Sequence, residues 1–427
     1  VGMATALNRA ASSLLRRGSR QRSTVAVGMS GGVDSSVAAL LLKQQGHDVV
    51  GVHMSNWDGS EDGLGHDCGE RDRKDAERVC RQLKIGFQEV SFQREYWHEV
   101  FTPFLKAYQD GGTPNPDLSC NRHIKFGHFA EHARKLGADH VATGHYARLR
   151  AGGDGRVQLL AALDPTKDQS YFLAAVRQEG LARALFPVGA LRKERVRALA
   201  AEEGLHVAAK RDSVGICFVG KRDFGDFIRG YLPHAPGDFV CLETGAVLGR
   251  HRGVAQYTPG QRARLGGSPS KRYVVSKDVA TGTIVLCEGG DHPALRRLSL
   301  RAGPALWVAG AAPDALLRGT EFRCAARVRY QQPLERCTVR LSEESSPAAP
   351  MLDVAFDQPL RHVAEQQALV LYDGEVCLGA ATIVSRGPSA YDVAYPNPVK
   401  KQQHQRQHVR GAATVSAGRT GAHRLGT

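Results

Sequence analysis

The fold follows from the stretch Gly28-Met29-Ser30-Gly31-Gly32-Val33-Asp34-Ser35-Ser36. It comes after the apolar run Val25-Ala26-Val27 and opens a helical pattern of apolar residues at 36–45. A buried strand, a loop of glycine and serine and a helix, in this order, bind phosphate because loop amides and the helix dipole face one anion. Glycine permits close approach of the backbone, and serine hydroxyls add donors. The sequence therefore predicts a phosphate-binding loop at 28–35.

This loop does not fit the Walker type, which requires Gly-x-x-x-x-Gly-Lys-Ser/Thr. Counted from Gly28, the last three of those positions are Val33, Asp34 and Ser35. Ser-Gly-Gly-x-Asp-Ser instead resembles the pyrophosphate loop of the ATP pyrophosphatase superfamily. That resemblance implies a protein that binds ATP, adenylates a carbonyl oxygen and releases pyrophosphate. An ordinary glycine-rich turn is the alternative interpretation.

Composition limits the class of protein. A chain of 427 residues predicts two or three domains. Its formal net charge of +14 indicates a polyanionic partner. No stretch approaches the roughly 20 apolar residues of a membrane span, which predicts a soluble protein without a membrane partner. The nine cysteines form no Cys-x-x-Cys pair, so a disulfide framework is not expected.

Short apolar runs alternate with helical patterns from residue 24 to about residue 146. The strands are predicted at 25–29, 47–54, 86–92 and 140–143. The helices are predicted at 36–45, 71–83, 96–109 and 124–136. This alternation predicts an α/β domain with a parallel sheet that binds ligands at the carboxyl ends of its strands.

The pattern changes after about residue 220. Hairpins are predicted around Thr244-Gly245 and Thr281-Gly282, and short strands dominate from about 298 to 385. Such a run of strands is typical of a small β-barrel. We therefore expect a first domain with the ATP loop at 25–220, a small central α+β domain at 221–295 and a C-terminal barrel at 296–386.

Both ends of the chain are basic. Residues 1–24 contain five arginines, several serines and alanines, and no acidic residue, which predicts a mitochondrial transit peptide and a place in the matrix. A basic arm that binds nucleic acid is the alternative. In the tail after Gly387, Asp392 is the sole acidic residue, and we predict disorder over 387–427.

A first candidate for chemistry is the segment 113–126, Thr-Pro-Asn-Pro-Asp-Leu-Ser-Cys-Asn-Arg-His-Ile-Lys-Phe. Two prolines ahead of a helix predict a rigid loop that presents a reactive group. Asp117 precedes Cys120 by three residues and can act as a base or orient a ligand. Nearby cations favour the thiolate of Cys120. A capped helix start with an uninvolved cysteine is the alternative.

The second candidate is the segment 210–220, in which Cys217 lies in an apolar run behind two cations. A buried core cysteine is the alternative here. Sulfur transfer uses one thiol to carry a persulfide and a second thiol to resolve it as a disulfide. An ATP loop together with Cys120 and Cys217 indicates that chemistry.

Five motifs occur in one order along the chain: the loop, Thr-Pro-Asn-Pro-Asp-x-x-Cys-Asn, Ala-Thr-Gly-His-Tyr (142–146), Lys-Asp-Gln-Ser-Tyr-Phe (167–172) and Gly-Ile-Cys-Phe-Val-Gly (215–220). Together they resemble the tRNA-specific 2-thiouridylases of bacteria and mitochondria over about 25–385. The late Gly-Pro-Ser-Ala-Tyr at 387–391 resembles the animal mitochondrial members.

The resemblance implies a role for each matching residue. ATP, with Mg²⁺, would be bound by Gly28, Met29, Ser30, Gly31, Gly32, Val33, Asp34, Ser35, Met54 and Gly144. The tRNA would be contacted by Asn115, Pro116 and Asp117 at the target base, and elsewhere by Lys167, Asp168, Gln169, Arg329 and Tyr330. Cys217 would carry the persulfide, Cys120 would be its partner nucleophile, and Asp117 would handle protons. The expected reaction adenylates O2 of uridine 34 and then places sulfur at C2. The implied partners are the tRNAs for Lys, Glu and Gln and a persulfide donor.

Several alternatives remain open at this stage. Another ATP pyrophosphatase, such as an amidating synthetase, needs no paired cysteines, and a non-catalytic RNA-binding or sulfur-carrier protein needs no turnover. An iron–sulfur cluster in place of the persulfide is a further alternative, but two cysteines and Asp117 would supply few ligands for it. No metal site is predicted, because His53, His66 and Asp67 lack a suitable spacing. Cys68 and Cys80 are expected to be structural. The aromatic residues of 96–104 are expected to be core.

Overall fold

The computed structural model describes these ranges of the chain: 22–57, 68–212, 218–220, 222–232, 235–267, 270–346 and 349–396. A parallel-sheet domain is followed by a small sheet domain and a closed β-barrel, so the predicted fold class is confirmed. Within the described ranges, no helix is both long enough and apolar enough to cross a membrane.

The strands of the first domain are β1 (Thr24–Gly28), β2 (Asp48–Ser55), β3 (Gly86–Ser91), β4 (His140–Ala142), β5 (Arg148–Ala151), β6 (Val157–Leu160) and β7 (Ala184–Leu185). Five of them form a parallel sheet in the order β3-β2-β1-β4-β7. β1 lies in the middle because Val25, Ala26 and Val27 are completely buried. The loop after β1 therefore lies at the carboxyl edge of the sheet, as predicted.

The helices of this domain are α1 (Val33–Gln44), α2 (Cys68–Leu83), α3 (Gln93–Tyr96), α4 (Thr102–Gln109), α5 (Pro116–Ser119), α6 (Phe129–Lys135), α7 (Ser170–Leu173), α8 (Gln178–Ala182) and α9 (Lys193–Glu202). A π-helical segment, Trp97–Phe101, joins α3 to α4. A second, Cys120–His128, joins α5 to α6. π-Helical segments are rare in proteins, and those that occur often lie at functional sites.

The helix that contains Cys120 begins eight residues earlier than the predicted start at residue 124. Asn115 caps it by accepting a hydrogen bond from the Asp117 amide at 3.0 Å, and Pro116 occupies the first helical position. The prediction that a rigid loop presents Asp117 and Cys120 is therefore wrong. Both residues lie in a helix whose start is capped.

The central domain contains β8 (Gly237–Cys241), β9 (Val247–His251), β10 (Arg262–Ala263), β11 (Arg272–Asp278), β12 (Thr283–Glu288), the helix α10 (Phe224–Arg229) and the 3₁₀ turns Val254–Gln256 and Pro293–Leu295. Its sheet has the order β10-β11-β12-β8-β9. The two predicted hairpins are confirmed, since β8 pairs with β9 and β11 with β12. Gly245 and Gly282 take positive φ in their turns.

The C-terminal barrel contains β13 (Arg296–Ala302), β14 (Leu306–Trp307), β15 (Phe322–Arg327), β16 (Glu335–Leu341), β17 (Leu352–Arg361), β18 (Ala368–Asp373), β19 (Val376–Arg386) and the helix α11 (Asp314–Leu317). The ring β13-β17-β16-β15-β18-β19 closes through the pairing of β19 with β13. The hairpin β5–β6 of the first domain also pairs with β19. The first domain and the barrel thus share one sheet.

The prediction of disorder is wrong for residues 387–396. The helix α12 (Ala390–Ala394) begins with a capping box, in which Ser389 and Asp392 bond each other's backbone amides. Tyr391 is buried and packs against Tyr395 at 4.9 Å between ring centroids. These contacts outweigh the polar composition of the segment. Residues 397–427 and 1–21 lie outside the described ranges.

All three domains meet just before the helix that contains Cys120. Lys277 of β11 donates to the carbonyl oxygens of Tyr257 at 2.8 Å and Gly112 at 3.4 Å. The amide of Thr113 donates to the carbonyl oxygen of Glu365 in the barrel at 2.9 Å. Burial lowers the pKa of Lys277 to about 8, although the Glu365 charge opposes the shift. The start of this helix is therefore positioned by the other two domains.

Replacement of Lys277 should change how stability depends on pH. Between pH 8 and the ordinary lysine pKa of 10.5, the unfolded chain binds more protons than the folded chain, so stability rises with pH. Relative to Lys277→Gln, the wild type should gain up to about 3 kcal/mol across this window. Denaturant titrations at pH 7 to 10.5 measure it. Exposed Lys271→Gln is the control, and parallel curves for wild type and Lys277→Gln would contradict the assignment.

Candidate active site

The predicted phosphate loop joins β1 to the N-terminus of α1, and its geometry is fixed from both sides. Gly31 has a φ of +70°, and a β-carbon there would lie 2.2 Å from the carbonyl oxygen of Asp72. Ser36 donates to the carbonyl oxygen of Gly32 at 2.7 Å, and the Ser30 amide donates to the Ser35 hydroxyl at 3.3 Å. The first backbone amides of α1 therefore lie next to the loop, and no side chain of the described residues caps them. Such amides favour a bound anion.

Two residues predicted for ATP binding from outside the loop lie against it. A β-carbon on Gly144 would come within 2.6 Å of the backbone of Asp34 and Ser35. The Met54 side chain lies over Gly28, with its methyl carbon 3.1 Å from the position of a β-carbon there. Gly28, Met54, Gly144 and the loop therefore form one cleft. Two loop members face elsewhere, since Met29 and Val33 are buried in the core beneath the loop.

A buried lysine links this loop to distant parts of the chain. Lys193, at the start of α9, donates to both carboxylate oxygens of Asp34 at 2.7 and 2.8 Å. The same ammonium group lies 2.8 Å from Asp212. Burial opposes ionisation of Asp212, but hydrogen bonds from Lys167 and Lys193 outweigh it and lower its pKa to about 2. The Asp212 carboxylate is therefore ionised, and both it and Asp34 are paired with Lys193.

Two further contacts hold the loop. The Tyr146 hydroxyl donates to Asp34 at 2.8 Å, so the Ala-Thr-Gly-His-Tyr motif touches the loop directly. Lys210 donates to the carbonyl oxygen of Gly31 at 2.9 Å and pairs with Asp72 and Asp75 of α2. Two ammonium groups thus lie beside a loop whose own sequence contains no lysine.

Asp117 and Cys120 are set by the capped helix. Cys120 is 4% exposed and begins the π-helical segment, and the next residue, Asn121, donates to the carbonyl oxygen of Phe172 at 3.1 Å. Burial raises the pKa of Asp117, and the positive charge of Lys125 partly opposes this shift. A carboxyl group of this kind takes up and releases protons closer to neutral pH than an exposed one.

Lys125 also connects this helix to the ATP loop. Its ammonium group donates to Nε2 of His145 at 3.5 Å, and Nδ1 of His145 donates to the Thr143 hydroxyl at 2.7 Å. Burial, followed by the charge of Lys125, lowers the pKa of His145 well below its ordinary value, so the ring is neutral. His145 follows Gly144, which packs on the loop. The ammonium group of Lys125 thus connects the Cys120 helix to His145, which lies beside the ATP cleft.

Cys217 lies outside the described residues, but both flanks of its segment are fixed. On one side, Asp212 is held by Lys167, Lys193 and Arg197 at 2.6 to 2.8 Å. On the other side, Phe218 packs against Phe101 and Phe104, each at 5.0 Å between ring centroids. The first flank touches the ion pair of the loop, and the second joins the buried cluster that also contains Cys120.

The predicted tRNA contacts divide into two sets. In the barrel, Arg329 is exposed, and Tyr330 packs on Phe172 at 4.4 Å between ring centroids. The Lys-Asp-Gln motif faces the protein instead: Asp168 is 3% exposed and accepts a hydrogen bond from Arg327 of the barrel at 2.8 Å. Its carboxylate is therefore not open to a tRNA in this structure.

The other two members of that motif are also bonded within the protein. Lys167 pairs with Asp212 at 2.8 Å, and the Gln169 side chain accepts from the Tyr146 amide at 2.9 Å. Through these contacts and the Asp168 pair, the motif joins the barrel to the residues that hold the ATP loop. Asn115 and Pro116, predicted to contact the target base, lie at the start of the Cys120 helix.

Sequence reasoning missed Lys193, Tyr146 and Asp212. Lys193 and Asp34 are 159 positions apart, and a lysine at the start of an amphipathic helix carries no signal of its own. Tyr146 belongs to the Ala-Thr-Gly-His-Tyr motif, but the resemblance implies no role for it. Asp212 stood five residues before Cys217.

Other residues considered from the sequence contribute to the structure of the fold. His53 is buried and bonded to the carbonyl oxygen of Met29, and burial raises the pKa of the buried Cys80 thiol to about 12. Tyr96, Phe101 and Phe104 are buried core residues, whereas Trp97 is 39% exposed. His66 and Asp67 lie outside the described residues. In the part of the chain that the structure describes, no group of three His, Cys, Asp or Glu residues is placed to hold a metal.

Substitution of Gly144 tests the cleft. Gly144→Ala places a methyl group 2.6 Å from loop backbone atoms, so the loop must shift, and ATP binding should weaken at least about tenfold. Gly153→Ala is the matched control, because a β-carbon there meets nothing within 4 Å. Isothermal titration with ATP, after circular dichroism has shown both variants folded, measures the effect. Equal affinity of Gly144→Ala and wild type would place ATP elsewhere.

Comparison with known families divides the chain as the fold does. Residues 23–221 match the tRNA methyl transferase HUP domain, residues 225–288 the tRNA methyl transferase PRC-barrel domain, and residues 297–383 the aminomethyltransferase beta-barrel domain. An NMN synthetase structure from Francisella tularensis aligns with 50% of this chain and 79% of its own, at 18% identity and a TM-score of 0.30. That likeness is too low to support an argument.

Full-length relatives give a much closer match. The tRNA-specific 2-thiouridylase MnmA of Halalkalibacterium halodurans is 46% identical over 85% of this chain and 95% of its own length. The enzyme of the same name from Methylococcus capsulatus is 49% identical over 84% of this chain and 95% of its own. Together with the loop, the Cys120 helix and the barrel, these matches show that the chain belongs to the tRNA-specific 2-thiouridylase family.

Proposed function

We propose that this enzyme uses ATP to replace O2 of uridine 34 in tRNA with sulfur. The observation that carries the proposal is the shared position of Lys125. It bonds His145 beside the ATP cleft and lies close enough to Asp117 to oppose the rise of that carboxyl's pKa. Activation by ATP and sulfur chemistry at Cys120 therefore meet around one cation.

The first step is adenylation. O2 of the uridine attacks the α-phosphorus of ATP, an O–P bond forms, and pyrophosphate leaves. The loop amides and the start of α1 stabilise the negative charge of the phosphates. Lys193 and Lys210, each paired with two carboxylates, hold the loop in place. Magnesium, which commonly accompanies nucleotide phosphates, would enter with ATP and neutralise part of the phosphate charge.

We assign Asp117 as the base that accepts the proton in this step. The uridine loses its N3 proton as O2 becomes the nucleophile, and a carboxylate whose pKa is raised by burial is a better acceptor for it. When attack by Cys120 later releases the thiolated base as its anion, the proton returns to N3. Asn115, which caps the same helix, and Pro116 lie next to this group and are assigned to orientation of the base.

Sulfur transfer uses Cys217 and Cys120. A persulfide on Cys217 attacks C2, and the C2–O2 bond breaks to release AMP. The Cys120 thiolate then attacks the inner sulfur of Cys217, which frees the thiolated base and leaves a Cys120–Cys217 disulfide. Two electrons from an external thiol reductant restore both thiols. The fixed flanks of the Cys217 segment support this pairing.

The tRNA lies across the first domain and the barrel. Exposed Arg329 makes no side-chain hydrogen bond or ion pair within the described residues, so its charge is available to a phosphate. Tyr330 offers a half-buried ring beside Phe172. The resemblance supports the tRNAs for Lys, Glu and Gln as substrates and a separate persulfide donor as the sulfur source.

Mass spectrometry of tRNA tests the function. Wild type, ATP, a persulfide donor and a thiol reductant should convert uridine 34 to 2-thiouridine. Cys217→Ser should accept no sulfane sulfur, whereas Cys120→Ser should load it but not complete turnover, because only the resolving thiol is absent. Cys80→Ser, a change in the core, is the control and should retain turnover. Persulfide loading lost in Cys120→Ser but kept in Cys217→Ser would reverse the two roles.

We further propose that the protein acts in the mitochondrial matrix. The support is the composition of residues 1–24, with five arginines and no acidic residue. A fusion of these residues to a fluorescent protein should enter mitochondria, and replacement of the arginines by glutamine should prevent entry. Retention of the unaltered fusion in the cytosol would contradict this location.

A further inference from the structure

A cavity of about 260 Å³ lies between the first domain and the C-terminal barrel. Small apolar side chains from both domains line much of it, including Pro103, Ala107, Ala175, Ala380 and Ala381. Its volume is just below the roughly 300–1,000 Å³ of pockets for drug-sized ligands. A planar base with its sugar suits a space of this size and character.

The cavity lies on a different face of the Cys120 helix from the reacting groups. Asn115, Ser119 and Arg122 line it, at a spacing that places them on one helical face. Asp117 and Cys120 do not line it, and Asp117 lies instead near Lys125 on the side of the ATP cleft. Because Asn115 and Pro116, assigned above to orientation of the target base, also line it, this space adjoins the position of the reacting uridine without containing the reacting groups.

Two arginines beside the cavity lack an anionic partner. Within the described residues, neither Arg122 nor Arg177 makes a side-chain hydrogen bond or an ion pair. Arg122 lines the cavity, and Arg177 follows the lining residue Ala175 by two positions. Burial, followed by the charge of Arg177, lowers the pKa of Arg122. Neighbouring His123 is already paired with Glu99 at 3.1 Å. Unpaired guanidinium groups bind phosphate well, because their planar fork of N–H donors matches its oxygens.

The buried ring of Tyr171 lies between the cavity and the barrel residue Tyr330, which is assigned to tRNA. Ala368 lines it, and the carbonyl oxygen of Ala368 accepts from the Tyr171 hydroxyl at 3.0 Å. The ring of Tyr171 lies 6.3 Å from that of Tyr330. Proteins recognise RNA loops by taking unstacked bases into such pockets.

We propose that this cavity binds one unstacked nucleotide of the tRNA, a direct neighbour of the thiolated uridine. Its base lies between the apolar walls, and its phosphate lies at Arg122 and Arg177. The proposal rests on the proposed function, because it takes tRNA to be the substrate. It adds a second nucleotide site, which holds the strand while the target base reacts.

A cavity-filling variant and altered RNA test this together. The probes are an unmodified tRNA transcript for lysine and transcripts with an abasic residue on either side of the target uridine. Wild type should lose about tenfold in affinity at one abasic position. Ala107→Leu, which fills the cavity from α4, should lose about tenfold on the intact transcript and nothing further on that abasic transcript. Non-additive losses of this kind show that the base and the cavity act together.

Charge variants complete the test. Arg122→Gln should weaken binding of every transcript and reduce the salt dependence by about one phosphate contact. Arg134→Gln, an exposed arginine on the following helix α6, is the matched control and should bind as wild type does. A folded Ala107→Leu that binds all transcripts like wild type would overturn the proposal.

The proposal and the proposed function fail separately. If wild type forms 2-thiouridine while Ala107→Leu and the abasic transcripts have no effect, the function stands and the nucleotide site is wrong. If the coupled losses appear but no 2-thiouridine forms, the site stands and the proposed function is wrong.

Discussion

The candidate active site depends on the buried ammonium group of Lys193. It lies between the carboxylates of Asp34 and Asp212, which would repel each other without it. A buried charge is costly unless it is paired and hydrogen-bonded, so this arrangement has little freedom to change. One side chain thereby connects the phosphate loop, the start of α9 and Asp212, which lies five residues before Cys217. A Walker loop contains its own lysine, whereas here the lysine comes from a distant helix.

The chemistry of the first domain also relies on the two later domains. Lys277 and Glu365 hold the backbone just before the Cys120 helix, and the β5–β6 hairpin extends the sheet of the barrel. The buried pair of Asp168 and Arg327 adds a third connection. The barrel is therefore joined to the Cys120 helix and to the residues around the phosphate loop by several direct contacts. The Lys-Asp-Gln motif contributes to this connection rather than presenting Asp168 to the solvent.

Much of this architecture was predictable from local sequence. The loop at 28–35 follows a fully apolar strand, which requires a parallel sheet with both faces covered, and Thr-Gly pairs marked both central hairpins. The start of the Cys120 helix was misplaced because two prolines indicated a loop, although Pro116 suits the first helical position. The helix at 390–394 was missed because its stability comes from burial of Tyr391 in the folded chain. Lys193 was missed because its role depends on Asp34, which is 159 positions away in sequence.

Adenylation is the step that joins the ATP cleft to sulfur transfer, and isotope labelling tests it most directly. A tRNA that carries a heavy oxygen isotope at O2 of uridine 34 is turned over once with ATP and a persulfide donor. Because the C2–O2 bond breaks after O2 has bonded to the α-phosphorus, the label should appear in AMP. Unlabelled AMP, or label in pyrophosphate, would contradict activation of the uridine by adenylation.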